Sequence, residues 1–438
     1  MKLNKYFRVV LLGSVLILII SFCVFKVFSK REKVITFGMF AGSYWDVPYG
    51  NCYSIIDKAI ERFEEENPNV KIKYVSGILK DDYSEWLSGE MLKGKAPDVF
   101  MILPEDFNTL ASIGAMKNLD NLISSDEEFY ADKYYEVSYQ CGQYEDNQYV
   151  LPYESVPTMM FVNKTLLNKE GIEIPSNDWT WDDFYNICKQ VTKDTDGDGK
   201  IDQFGYYDYK WTDAVYSNKA ILFDKDGSNA YFAEKSVVEA IKFVKDLDSI
   251  NKGYKTTAKD FDDGKVAFRP LLFSDYSTYK TYPWKIKKYS NFEWDCIKLP
   301  AGKRGENISQ VSTLLMGMSN NTNNEDLAWE FLKMLTYDLE TQKGIFEHSQ
   351  GVSVIKEVTN SKDVIDYLNR STPNGSYIDM NLLNEVMEDA VISPRFKKYE
   401  SVMAMADNVI RQAIENENED ISYLLLKLQR EVNNMLNN

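Results

Sequence analysis

Histidine is nearly absent: His348 is the only one in 438 residues. A Ser-His-Asp or Cys-His mechanism would have to rest on it, and no nucleophile motif accompanies it. Cysteine is sparse as well. Cys23 lies in an apolar leader, while Cys52, Cys141, Cys188 and Cys296 are far apart and show no C-x-x-C spacing. Neither a zinc site nor a redox motif is therefore indicated. One or two disulfides fit an oxidising compartment, and buried free thiols fit the sequence at least as well. Internal repeats and low-complexity stretches are missing. Positive charge is in deficit, with 50 Lys and Arg against 67 Asp and Glu, a net of −17. Residues 1–31 hold six basic and no acidic side chains, which leaves the body near −23. Such a body argues against nucleic acid and anionic lipid as partners and disfavours a strongly anionic ligand.

What is present begins with the leader. Lys2, Lys5 and Arg8 precede an apolar run over residues 9–25, and Lys26, Lys30 and Arg31 follow it. This pattern is a secretory signal or a short membrane anchor, and residues 1–33 are assigned to it. Basic residues ahead of the run favour an N-terminus inside the cell, so the body ends up outside. Phe22 before Cys23 makes a poor lipidation box. The rest is long enough for two or three domains. Its 29 Tyr and 8 Trp suit wet clefts as well as cores.

Residues 34–40 read as a buried strand, 53–66 as a helix with its apolar residues at helical spacing, and 70–75 as an alternating strand. Asn67-Pro68 separates the last two. A helix over 81–92, a strand over 98–103 and a helix over 106–113 follow. Strands over 148–151 and 159–162 come next, then a helix from Lys164. Thr180 with Asp183 predicts a near capping box for a helix over 181–192. Further helices are expected over 236–250, 325–337, 401–415 and 423–436. Alternating strands and helices argue for an α/β fold with a mainly parallel sheet. Trp86, Trp179, Trp181 and Trp329 read as helix-face or core residues.

The order of these elements resembles the bacterial extracellular solute-binding proteins of carbohydrate ABC importers, the maltodextrin-type class. The segments carrying the resemblance are AIERFEEENPNVKIKYV (59–75), GKAPDVFMI (94–102), LASIGAMKNLDNLI (110–123), QYVLPYESVPTMMFVNKTLLNKEGI (148–172), WTWDDFYNICKQVT, DTDGDGKIDQFGY and NNEDLAWEFLKMLTYDLETQ (323–342). The resemblance implies a two-lobed periplasmic-binding-protein-like fold with a ligand cleft between the lobes. One lobe would hold 34–153 with 298–345, the other 154–297 with 346–438. It further implies a protein that captures a carbohydrate, with an oligosaccharide as the expected ligand, closes by a hinge motion and delivers it to permease subunits without catalysis. Gly351-Val352-Ser353-Val354 stands where the family often has a Leu-Pro turn, so the hinge there departs from the pattern.

Ligands of open α/β sheets meet the carboxyl ends of strands, here the loops after Phe40, Leu103 and Leu151. A sugar needs aromatic platforms and polar side chains. Tyr44, Trp45 and Asp46 after the first strand, Glu105 and Asp106 after the third, and Tyr153 and Glu154 in the crossing segment offer both. Trp211, Asp213, Asp275 and Tyr276 are further candidates. Tyr153, Phe273 and Tyr399 fit core or hinge packing equally well.

Asp194, Asp196, Asp198 and Asp202 occupy positions 1, 3, 5 and 9 of a calcium-like loop, with Gly199 at 6 and a carbonyl of Lys200 available at 7. Position 12 is Gly205 instead of a bidentate Glu, so the loop is no complete EF-hand. Structural Ca2+ is the expectation, against a solvated acidic turn. Two other functions remain open: a membrane-tethered sugar sensor, and a glycosidase with two carboxylates flanking a cleft.

Overall fold

The computed structural model describes residues 32–42, 51–75, 77–275, 292–349, 351–370, 379–416 and 418–437. Eleven strands lie among them: β1 (Lys33–Gly38), β2 (Val70–Val75), β3 (Val99–Ile102), β4 (Gln143–Tyr144), β5 (Asn147–Gln148), β6 (Val150–Asn163), β7 (Phe204–Tyr206), β8 (Val266–Leu272), β9 (Trp294–Ile297), β10 (Val311–Met318) and β11 (Val352–Ser353). The main sheet runs β2-β1-β3-β10-β6-β8-β7, with β9 and β11 also paired to β6. Only β1–β2, β1–β3 and β7–β8 are parallel pairs. The others in this sheet are antiparallel, so it is mixed and not mainly parallel.

The fourteen residues of β6 join two halves of the molecule. Its first part pairs with β10 from Val150 to Pro157, and its second with β8 and β9 from Thr158 to Asn163. The sequence predicts two strands here, 148–151 and 159–162. Pro152, Glu154, Ser155 and Pro157 break the apolar alternation between them, yet the backbone stays extended. The polar side chains find buried partners instead: Ser155 Oγ bonds Ser138 Oγ at 2.9 Å and Thr313 Oγ1 at 2.8 Å. There is thus no loop after Leu151. The period of two in a strand shows in the packing. Met159 and Phe161 join one hydrophobic cluster, Met160 and Val162 the other.

The first cluster fills the half built on β1, β3 and β10, with the helices Cys52–Glu66, Pro104–Ser112 and Glu325–Thr336, and continues beneath β8 and β9 through Val266 and Trp294. The second lies between β8 and the helices Trp181–Val191, Lys235–Ser249, Tyr399–Glu415 and Ile421–Asn437. Thr180 and Asp183 form the full reciprocal capping box expected from sequence. Trp179, Trp181 and Trp329 are buried. Cys52, Cys141, Cys188 and Cys296 are free thiols. Among the described residues no helix is long and apolar enough to cross a membrane; the leader lies outside them.

Candidate ligand cleft

The two halves meet where β3 ends. After Leu103 the helix Pro104–Ser112 begins with Pro at its first turn, a position where the missing N–H costs nothing. Glu105 and Asp106 follow in that turn, at the end of the helix that favours negative charge. Ser84 Oγ donates to the Asp106 carboxylate. Burial raises the Asp106 pKa, and the charge of Glu105 adds to the rise.

Facing them is the start of the helix Tyr399–Glu415. Burial raises the Glu400 pKa, the charge of Glu105 raises it further, and Arg395 opposes both. The Arg395 guanidinium lies 5.3 Å from the centroid of the Phe107 ring. The segment before Tyr399, whose Phe396 packs in the second cluster, therefore reaches the first half of the molecule. The Arg395 Nε is buried and has no hydrogen-bond partner among the described residues. Tyr216 and Tyr399 lie beside Ser393, and burial first, then their mutual proximity, pushes the Tyr216 phenol far up. At the rim, Lys225 of the second half pairs with Asp146 at the β4–β5 turn of the first.

The result is a cleft of about 970 Å³ whose walls come from both halves, lined by Gln143 and Asp146 on one side and by Lys225, Ser393 and Arg395 on the other, with Tyr144 and Phe396 beside them. These groups can accept from and donate to hydroxyls, and nothing among them has the arrangement of an activated nucleophile.

Among the sequence-derived candidates, Asp106 lies at the start of the helix that carries Glu105 and Phe107, held by Ser84. Glu154 lies in the crossing, 2% exposed, and accepts from Ser349 Oγ. Gly351 is pressed against it: a Cβ there would sit 2.8 Å from Glu154 Oε2. This close approach explains why a glycine stands in the segment that departs from the family pattern. The neighbouring Cys52 thiol is pushed up to about 12, by burial first and the Glu154 charge second.

Trp211 opens the helix Trp211–Ser217 and donates its indole N–H to Asp407 at 3.0 Å. Asp213 caps that helix by accepting the Lys210 N–H at 2.9 Å, and burial raises its pKa to about 6. Asp275 accepts the Leu272 N–H at 3.2 Å and closes the end of β8. Tyr44, Trp45, Asp46 and Tyr276 lie outside the described residues.

Arg395, Glu400 and Asp407 were not singled out from sequence. The available signal was the run of charge in RFKKYE after Pro394, in which three cations precede a helix start.

In the acidic loop, the carboxylate oxygens of Asp194, Asp196 and Asp198 come within 4.8 Å of one another. Gly197 and Gly199 take φ of +81° and +89°, the left-handed turns that fold the loop inward. Asp194 accepts the N–H groups of Gly199 and Gly197, which lower its pKa. The N–H of Lys200 donates to Asp198. Asp202 turns away to accept from Thr195 N–H and Oγ1.

Sheet, crossing strand and cleft define a two-lobed α/β binding protein. The model of the bacterial extracellular solute-binding protein family matches residues 49–338, and the chain belongs to that family. Its place is accordingly outside the cytoplasm. Among solved structures, the cyclic alpha-maltosyl-1,6-maltose binding protein of Arthrobacter globiformis superposes with a TM-score of 0.76 at 18% identity, covering 92% of this chain and 98% of that one. An ABC substrate-binding protein from Listeria monocytogenes, solved with cycloalternan, gives 0.70 at 18% identity, with 93% and 99% covered. A multiple sugar-binding protein of Streptococcus mutans is 26% identical over 138 residues. That match spans 31% of this chain and 30% of the relative.

Proposed function

We propose that the protein captures a carbohydrate between its two lobes and delivers it to the permease subunits of an ABC importer, acting without catalysis and held at the outer membrane face by its N-terminal segment. The observation that carries this reading is the cleft itself. Arg395 lines the space between the halves together with Asp146 and Lys225, and it sits within reach of the charges of Glu105 and Glu400, so donors and acceptors for hydroxyls converge there from both halves. The sugar ligands named for the relatives support the same chemistry. Closure around the ligand would be a hinge motion about β6.

A thermal-shift screen of the protein against mono- and oligosaccharides tests it. A ligand that binds only the folded state stabilises it by about 2.7 kcal/mol at a hundredfold excess over Kd. We expect the melting temperature to rise with one class of saccharide, and that saccharide to be recovered intact. No rise with any saccharide, or a hydrolysed product, would count against the reading.

We further propose that the acidic loop holds a structural Ca2+. Asp194, Asp196 and Asp198 are hard oxygen donors converging on one point, as that ion requires. Ca2+ added after chelator treatment should raise the melting temperature, and Asp196→Ala should abolish the response. A wild-type protein indifferent to Ca2+ refutes this.

A further inference from the structure

Lys298 follows β9 and is fixed by its backbone to the second half of the molecule. Its N–H donates to Asn177 Oδ1 at 3.1 Å, and its carbonyl accepts the Trp179 indole N–H at 2.9 Å. Its ammonium reaches out of that half, to Glu385 Oε2 at 2.9 Å and Asp389 Oδ2 at 3.2 Å. Both carboxylates stand on the helix Met380–Asp389, whose Leu383, Val386 and Met387 pack in the first cluster. The Tyr135 hydroxyl of the first half holds the same helix through Asn384. The triad therefore ties one half to the other, while each partner is held by its own half.

The Lys298 side chain is 12% exposed, and both carboxylates are in contact with water. The three groups border a space of about 460 Å³ between the halves, lined also by Asp178 and Glu306. Lys298 is the one cation among these lining residues, beside four carboxylates. Without it, like charges of the two halves would oppose one another.

Two contacts show the described halves drawn together at the cleft: Lys225 pairs with Asp146 across its rim, and Arg395 lies over Phe107. Beyond Asp389 the chain enters the crossing, where the Val391 N–H donates to the Ser309 carbonyl at 2.9 Å. Glu385 precedes Val391 by six residues, a lever of roughly 9 Å at ~1.5 Å per helical residue. A hinge rotation of about 20° around the crossing would carry it ~3 Å, enough to break or crush the contact with Lys298.

We infer that Lys298, Glu385 and Asp389 form an ionic latch that favours the closed arrangement, so that ionic strength tunes the affinity for a neutral ligand bound elsewhere, in the cleft. The inference rests on the carbohydrate reading and adds to it a means of regulation.

Calorimetric titration of the full chain with a panel of neutral mono- and oligosaccharides, at about 0.02 M and about 0.5 M NaCl, tests it. Affinity for the tightest saccharide should fall about threefold at the higher salt, because water-exposed ion pairs are screened there. Lys298→Gln should bind about fivefold more weakly at low salt and lose most of the salt dependence, whereas Lys298→Arg keeps both. Glu385→Gln combined with Asp389→Asn should reproduce the Lys298→Gln result without touching the more buried ammonium. Wild-type affinity indifferent to salt, or salt dependence that survives both the lysine and the double carboxylate variants, overturns the latch and leaves the carbohydrate reading standing. Failure of every saccharide to bind overturns that reading and the latch with it.

Discussion

Arg395→Ala should weaken saccharide binding by about thirtyfold or more, the loss of ~2 kcal/mol or above that marks a desolvated arginine anchor. The argument is electrostatic and geometric. Arg395 is the cation that offsets the Glu105–Glu400 pair across the cleft. Its guanidinium is positioned over Phe107, and its Nε has no hydrogen-bond partner among the described residues. Removing it takes away the donor and leaves two carboxylates facing one another as the lobes close. Arg395→Lys should recover only part of the affinity, because an ammonium restores charge but not the planar fork. Titration calorimetry on both variants checks this, with melting temperatures as a control for the lost packing on Phe107. Affinity within about twofold of wild type for a folded Arg395→Ala protein would remove Arg395 from the site.

The largest expected loss of stability comes from Trp181→Ala, at about 3–5 kcal/mol. Trp181 is 1% exposed and begins a helix fixed by the Thr180–Asp183 capping box. Its ring stacks on Phe243 with centroids 4.3 Å apart and planes 2° from parallel. Its indole N–H donates to the Tyr209 hydroxyl at 3.3 Å. Alanine opens a cavity in the second cluster and withdraws a donor from the buried Tyr209 hydroxyl. Trp181→Phe should cost less, since it keeps most of the stack. Denaturant unfolding monitored by circular dichroism measures the difference. A loss under about 1 kcal/mol would mean that the second cluster does not depend on this stack.

How far such features could be read from sequence depends on how local their causes are. The helix Cys52–Glu66 was legible because Ile55, Ile56, Ala59 and Phe63 repeat at helical spacing and are all buried. The capping box was legible because its two partners are three residues apart. The crossing strand was not, because what keeps Glu154 and Ser155 in an extended, buried segment is supplied by Ser349, Thr313 and Ser138, up to 195 residues away. The mixed sheet followed from the same blind spot: β10 returns from residue 311 to lie antiparallel between β3 and β6. Asp106 could be named because it follows a strand end. Arg395 could not, because its importance comes from Phe107, Glu105 and Glu400, which no local pattern ties to it.

The family assignment and the fold stand on the match over residues 49–338 and on the superposed structures. The central claim beyond them is that a carbohydrate bound between the lobes draws them together. Small-angle X-ray scattering of the protein with and without the saccharide that raises its melting temperature tests this most directly. The radius of gyration should fall on addition of the saccharide, as hinge closure about β6 requires. A saturated complex with an unchanged radius of gyration would contradict capture between the lobes and place the ligand on a single one of them.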